Sequence, residues 1–189
     1  QPSWVSYAPQ ASLLNHDIKL IPTNFESKWK ISAQSLQDIC QTITNNSPKI
    51  LVLNYPGNPT GMTYSSIELK EIAAVARKHN ILIISDEIYG WLNHNNKHTS
   101  IASHYPEGTF ITTGLSKWCG AGGWRFGTGI FPENVSNELK VTYNGIASET
   151  YSTTAAPVQF AATYIYNNIQ QFQSFITSQQ TILSAISTT

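Results

Sequence analysis

Charge is scarce in this chain. Eleven basic and eleven acidic residues among 189 make up 12% and cancel to a formal net charge of zero, against ~25% charged residues in an ordinary soluble domain. Nucleic acid and acidic membrane surfaces both need a clustered positive excess, so neither is expected as a partner. Arginine is confined to Arg77 and Arg125, and cysteine to Cys40 and Cys119. Two cysteines so far apart make neither a disulfide framework nor a zinc spacing. A reducing, cytoplasmic setting follows as the expectation. No apolar run approaches the ~20 residues of a membrane helix, and no signal peptide opens the chain. Gln1 comes first instead of Met and Pro-Ser-Trp follows at once, which reads as a chain cut from something longer.

What is present is a core and a pattern. Hydrophobic residues are 41% of the chain, enough for one domain, or one domain plus a fragment of another. Residues 17–22 (DIKLIP) alternate and predict a strand. Residues 33–43 place Leu36, Ile39, Cys40 and Ile43 on one helical face. The continuous apolar run 49–55 (KILVLNY) predicts a buried parallel strand. A Pro/Gly loop follows at 55–61. Ser65 and Glu68 then form a capping box, opening a helix to about Asn80 that turns Leu69, Ile72, Ala73 and Ala76 inward. Further strands are predicted at 81–85 (ILIIS), 109–115 (TFITTGL) and 127–131 (GTGIF). From Glu133 to Ser187 the pattern is mainly helical, broken near Pro157. Its Gln/Ser/Thr-rich tail, 170–189, keeps a partial apolar stripe of Phe172, Phe175, Ile176, Ile182 and Ile186. Alternating strands and helices imply an α/β three-layer sandwich, a mostly parallel sheet flanked by helices.

Ligands of such sheets bind at the carboxyl ends of the strands. After the second strand comes NYPGNPTG, at the end of the third SDEIY, and after the fourth LSKWCGAGGWRFG. An amide, a carboxylate, a phenol and an amine therefore fall on one sheet edge, and an arginine precedes the fifth strand. An aldehyde needs an amine, a pyridine nitrogen a carboxylate, a phenolate hydrogen-bond donors, and a phosphate an arginine fork. Pyridoxal 5'-phosphate is the cofactor that combines these groups.

The three motifs, in this order and spacing, resemble those of class I/II aminotransferases, in the aspartate aminotransferase superfamily of fold-type I pyridoxal-phosphate enzymes. The resemblance spans nearly the whole chain. It implies that Lys117 forms the internal imine and shuttles the proton, and that Asp86 pairs with the ring nitrogen. Tyr89 and Asn58 would bond the phenolate oxygen, Arg125 would hold the phosphate, and Trp4 would stack on the ring. Family members commonly carry a phosphate-binding hydroxyl three residues before the lysine. Here that position is Gly114, with Ser116 or Thr113 as substitutes. The chain then represents, over 1–189, part of the large cofactor-binding domain, without the N-terminal phosphate loop or the C-terminal small domain. No residue stands out for the substrate carboxylate.

Other chemistries fit less well. The glycines at 120, 122, 123 and 127 do not spell a nucleotide loop. His94 and His98 sit in a polar loop, NHNNKH, without an acid or cysteine partner, so no metal site is expected. Glu149, His16 and Ser152 make no nucleophile triad. The expected activity is transfer of an amino group between an amino acid and a 2-keto acid, in amino acid metabolism, by a homodimeric parent protein. Two alternatives accompany it: a sibling carbon–sulfur beta-lyase, and a fragment that holds cofactor weakly and catalyses nothing.

Overall fold

The computed structural model describes residues 2–45, 47–94 and 98–187. Gln1, the middle of the NHNNKH loop and the last two residues of the tail lie outside the described residues. The chain divides into two compact units, one of Gln1–Glu87 with Thr99–Ile111, the other of Ile88–His98 with Thr112–Thr189. Among the described residues four strands make a mixed sheet in the order β1-β2-β3-β4: β1 Lys49–Asn54, β2 Ile81–Asp86, β3 Thr109–Gly114 and β4 Gly127–Ile130. The expected α/β class is the observed one, with helices flanking the sheet.

In the first unit, α1 (Tyr7–Leu13), α2 (Ala33–Gln41) and α3 (Ser66–Lys78) accompany β1 and β2. The strands β1 and β2 pair in parallel, from Lys49 opposite Ile81 to Asn54 opposite Asp86. The capping box on α3 forms as predicted: Glu68 N–H donates to Ser65 Oγ at 3.3 Å, and Ser65 N–H to Glu68 Oε2 at 2.7 Å. Such a cap contributes about 1 kcal/mol by satisfying otherwise orphaned N–H groups. Leu69, Ile72, Ala73 and Ala76 are all buried, as the 3.6-residue spacing requires, beside Leu36, Leu53 and Ile83. The helix ends at Lys78, and Asn80 takes the left-handed turn at φ 51°, a conformation asparagine tolerates.

Two expectations for this unit are corrected. Residues 17–22 form no strand, although they alternate. Alternation marks a face but supplies no hydrogen-bonding partner, and without a ladder an extended segment is not a strand. The run 49–55 is parallel strand but buried on one side only. Ile50 and Val52 remain 58% and 39% exposed, against a hollow of about 260 Å³ whose lining includes Ile18, Leu20 and Asn58.

The second unit holds α4 (Asn137–Thr150), α5 (Ala156–Asn167), α6 (Gln173–Ser187) and β4. Its core is Leu115, Trp118, Ala121, Ala162, Ile165 and Ile176. The N–H of Leu115 donates to the Phe126 carbonyl at 3.4 Å, and Gly127 lies against the Thr113 carbonyl. The partner number falls as the strand number rises, so β4 runs antiparallel to the end of β3. The break expected near Pro157 falls earlier, at 151–155. Pro157 sits in the first turn of α5, where its missing N–H costs nothing. In the tail only Ile176 of the expected stripe is fully buried, while Phe175, Ile182 and Ile186 are exposed. Gln180 does the anchoring instead, its Nε2 donating to the Trp91 and Asn93 carbonyls at 3.0 and 3.2 Å.

Candidate active site

Asp86 is the last residue of β2. Its backbone carbonyl accepts from Asn54 Nδ2 at 3.0 Å and from the Tyr55 N–H at 3.3 Å. Its carboxylate accepts a hydrogen bond at Oδ2 from the Tyr7 hydroxyl, at 2.5 Å. Tyr7 opens α1, and Trp4 meets its ring edge-on, with centroids 5.1 Å apart and planes at 79°. Asn54 also orders the loop beyond β1, its Oδ1 accepting from the Asn58 N–H at 2.8 Å. Asp86, Asn58 and Trp4 are thus connected through Tyr7 and Asn54, two residues the motif reading had not singled out. Signals existed for both. Trp4 and Tyr7 are three apart at a helix start, the spacing of neighbours on one face. Asn54 ends a strand before a Pro/Gly loop, where its side chain can mimic a turn.

The residue after Asp86 is locked by a buried polar knot. Glu87, 8% exposed, accepts from Ser85 Oγ at 2.8 Å, Ser100 Oγ at 2.5 Å and Tyr55 Oη at 3.4 Å. The Ile101 N–H donates to Tyr55 Oη at 2.7 Å. Burial, reinforced by the Glu87 charge, pushes the Tyr55 phenol well above its ordinary range and keeps it neutral. A fully bonded polar knot fixes backbone position better than an apolar contact would.

In the second unit the lysine stands on a turn after β3. Leu115 and Trp118 are both 0% exposed, while Lys117 between them is exposed. Two buried side chains three residues apart pin one side of the turn and push the intervening amine outward. The turn is closed by Gly120 N–H to the Lys117 carbonyl at 3.0 Å and Ala121 N–H to the Leu115 carbonyl at 3.2 Å. Gln179 Nε2 holds the Trp118 carbonyl at 2.6 Å. The Lys117 ammonium lies 5.5 Å from the Tyr89 ring centroid, a cation–π distance. Ser116, half-buried, adjoins it. Burial pushes the Cys119 thiol up, which makes it a poor nucleophile beside the amine.

Arg125 is exposed, with left-handed backbone at φ 53°. Its Nη1 donates to the Gly122 carbonyl at 2.8 Å, which leaves most of the five guanidinium N–H donors for another acceptor. Gly114 has no room for the hydroxyl-bearing side chain that the family resemblance leads one to expect there: a Cβ would stand 2.6 Å from the Phe126 carbonyl oxygen. Arg77 is engaged elsewhere, its Nε 2.6 Å from Glu107 Oε1 and its Nη2 donating to the His104 carbonyl at 2.8 Å. His98 is half-buried against Gly90, not solvated as its loop sequence suggested. Among the described residues no group of three or more His, Cys, Asp or Glu could hold a metal. Nor is any described helix long and apolar enough to cross a membrane.

The family model for aminotransferase class I and II matches residues 1–187. This chain belongs to that family. It is 36% identical over 173 residues to an aspartate aminotransferase of Bacillus sp. strain YM-2, covering 89% of this chain and 42% of that protein. It is 34% identical to an asparagine–oxo-acid transaminase of Streptococcus mutans, over 85% of this chain and 40% of that protein. Among solved structures, the aspartate aminotransferase of Thermus thermophilus with maleate superposes with a TM-score of 0.85 at 26% identity. That match covers 95% of this chain and 45% of the other. An aromatic aminotransferase from Pyrococcus horikoshii gives 0.83 at 25% identity, over 95% of this chain and 47% of the other. The chain spans less than half the length of these aminotransferases.

Proposed function

We propose that this chain binds pyridoxal 5'-phosphate and contributes to transamination between an amino acid and a 2-keto acid. The observation that carries the reading is the Lys117 turn, a single amine projected from a buried Leu115–Trp118 anchor in a chain of the aminotransferase family. The donor set supports the cofactor. Lys117 is the amine for its aldehyde, Asp86 the carboxylate for its ring nitrogen, and Tyr89 and Asn58 the donors for its phenolate. Arg125 and Ser116 would serve its phosphate, and Trp4 would offer a ring face to its pyridine. Gly114 removes one phosphate contact relative to the family, so Arg125 carries a larger share.

When bound, the cofactor acts as an electron sink for the bond broken at the substrate alpha carbon. The chain's own residues do the rest. Lys117, exposed on its turn, would supply the amine for the aldehyde, and its Nζ would remove and return the alpha proton. Asp86, which accepts from Tyr7 at its carboxylate and from Asn54 and Tyr55 at its carbonyl, would keep the ring nitrogen protonated by ion pairing. Arg125 offers a fork of donors to the phosphate. A dimer of the whole protein accords with the family's usual assembly.

The test is to titrate the purified chain with pyridoxal phosphate and record the visible absorbance of lysine-bound cofactor. A band that is lost in Lys117→Ala supports the reading. Conversion that depends on a keto acid acceptor separates transamination from beta-elimination. No band with the wild-type chain would refute cofactor binding by it.

A further inference from the structure

We infer that Gln179 and Gln180, neighbours on α6, are positioning residues that hold the Lys117 turn and the segment after Tyr89 together. The inference rests on the cofactor reading above and extends it to a helix outside the three motifs. All four residues belong to the second unit. Successive residues of a helix point about 100° apart, so adjacent glutamines can reach two different segments. Gln179 Nε2 donates to the carbonyl of Trp118, the residue after Lys117, at 2.6 Å. Gln180 Nε2 donates to the Trp91 and Asn93 carbonyls, in the segment after Tyr89, at 3.0 and 3.2 Å.

The acceptors lie in turns. Gly90–Leu92 is a short 3-10 turn, closed by the Leu92 N–H on the Tyr89 carbonyl at 2.9 Å. A carbonyl in a turn has no ladder to fix it, so a side-chain amide sets where it stands. Apolar contacts support the same arrangement. Ile176 precedes the glutamines by three and four residues, which places it on their side of the helix, and it is buried with Leu115 and Trp118. The Trp91 and Trp118 rings meet with centroids 5.4 Å apart. From these two held turns the Lys117 ammonium and the Tyr89 ring come to 5.5 Å of one another. An amide does not titrate, and Gln180 is only 5% exposed, so the bonds of this clamp are indifferent to the charge on the amine beside them.

The experiment follows the rate at which the visible band of lysine-bound cofactor appears when the full chain is mixed with saturating pyridoxal phosphate. The melting temperature of each variant is measured alongside. Gln179→Met and Gln180→Met keep the length of the side chain and lose the donor. Each is expected to slow band formation by about 5- to 10-fold, the size of one net hydrogen bond. Gln179→Lys, which returns an N–H donor of similar reach, should recover most of the rate. In a Tyr89→Ala background Gln180→Met should add little further loss, because the segment it holds no longer presents a ring to Lys117. Ile165→Val trims the same core without removing a hydrogen bond and gives the rate loss that lowered stability alone produces. Gln179 is only half-buried, so its variant is expected to fold even where Gln180→Met does not. Unchanged rates in the glutamine variants, or losses no larger than that of Ile165→Val at equal melting temperature, would overturn the positioning role. So would no recovery by Gln179→Lys, or an undiminished loss from Gln180→Met in the Tyr89→Ala background. A wild-type chain that forms no band would overturn the cofactor reading and this inference with it.

Discussion

The two units hold their functional side chains in opposite ways. In the first, Asp86 is bound at its carbonyl by Asn54 and Tyr55 and at its carboxylate by Tyr7, and the next residue, Glu87, is buried in a knot of hydroxyl donors. In the second, Lys117 and Arg125 are exposed on glycine-bearing turns, and it is their neighbours that are fixed. The difference matches the work proposed for each. A carboxylate that tunes a ring acts by staying still. An amine that must bond, release and carry a proton acts by moving, and the fold buries Leu115 and Trp118 while leaving the lysine between them exposed.

The sharpest way to separate the two halves is to remove each functional group and compare. Lys117→Ala should abolish the visible band and slow transamination by more than about 10³-fold, because it removes the amine proposed both to bond the aldehyde and to carry the alpha proton. Trp118→Ala removes a fully buried side chain from the second core and should cost about 3–5 kcal/mol in denaturant unfolding. If the Lys117 turn depends on that anchor, the band should weaken in this variant even where it remains folded. Asp86→Ala should slow proton abstraction about 10²- to 10³-fold, the scale of losing one preorganised electrostatic contact, with a smaller change in cofactor affinity. Single-turnover kinetics beside equilibrium titration distinguish the two effects. Arg125→Ala should do the reverse and weaken cofactor affinity by about 10- to 100-fold, the value of a charge-assisted hydrogen bond. Unchanged affinity in that variant would refute the phosphate assignment. The smallest effect is expected from Gly114→Ser. Its Cβ would press on the Phe126 carbonyl, so thermal melting should show a loss of about 1–3 kcal/mol and phosphate affinity should not improve.

Much of this was legible in the residues. The α3 helix carried its cap, its period and its inward face in the sequence, and all four inward residues are buried. The motifs named Lys117, Asp86, Tyr89, Asn58 and Arg125 by residue type and order. Less legible was whatever depends on a partner distant in sequence. Residues 17–22 have a strand's alternation but no ladder, and Ile50 and Val52 have a buried strand's composition but an open face. Tyr7 lies 79 residues from the carboxylate it binds, and no local pattern announces such a pairing. Gln180 anchors α6 to carbonyls 87 and 89 residues away, where a polar residue in a polar tail gave no signal.

The amino-acid sequence by itself determined the kind of protein: an α/β chain of the aminotransferase family, with an amine, a carboxylate and an arginine spaced along its strand ends. These properties follow from periodicity, capping and motif order, which act between near neighbours in the chain. Only the tertiary structure decided how each group is held. It bound Asp86 from two sides, turned Lys117 outward between two buried anchors, and closed Gly114 to any side chain. Those outcomes depend on burial and on hydrogen bonds between segments that meet only when the chain has folded.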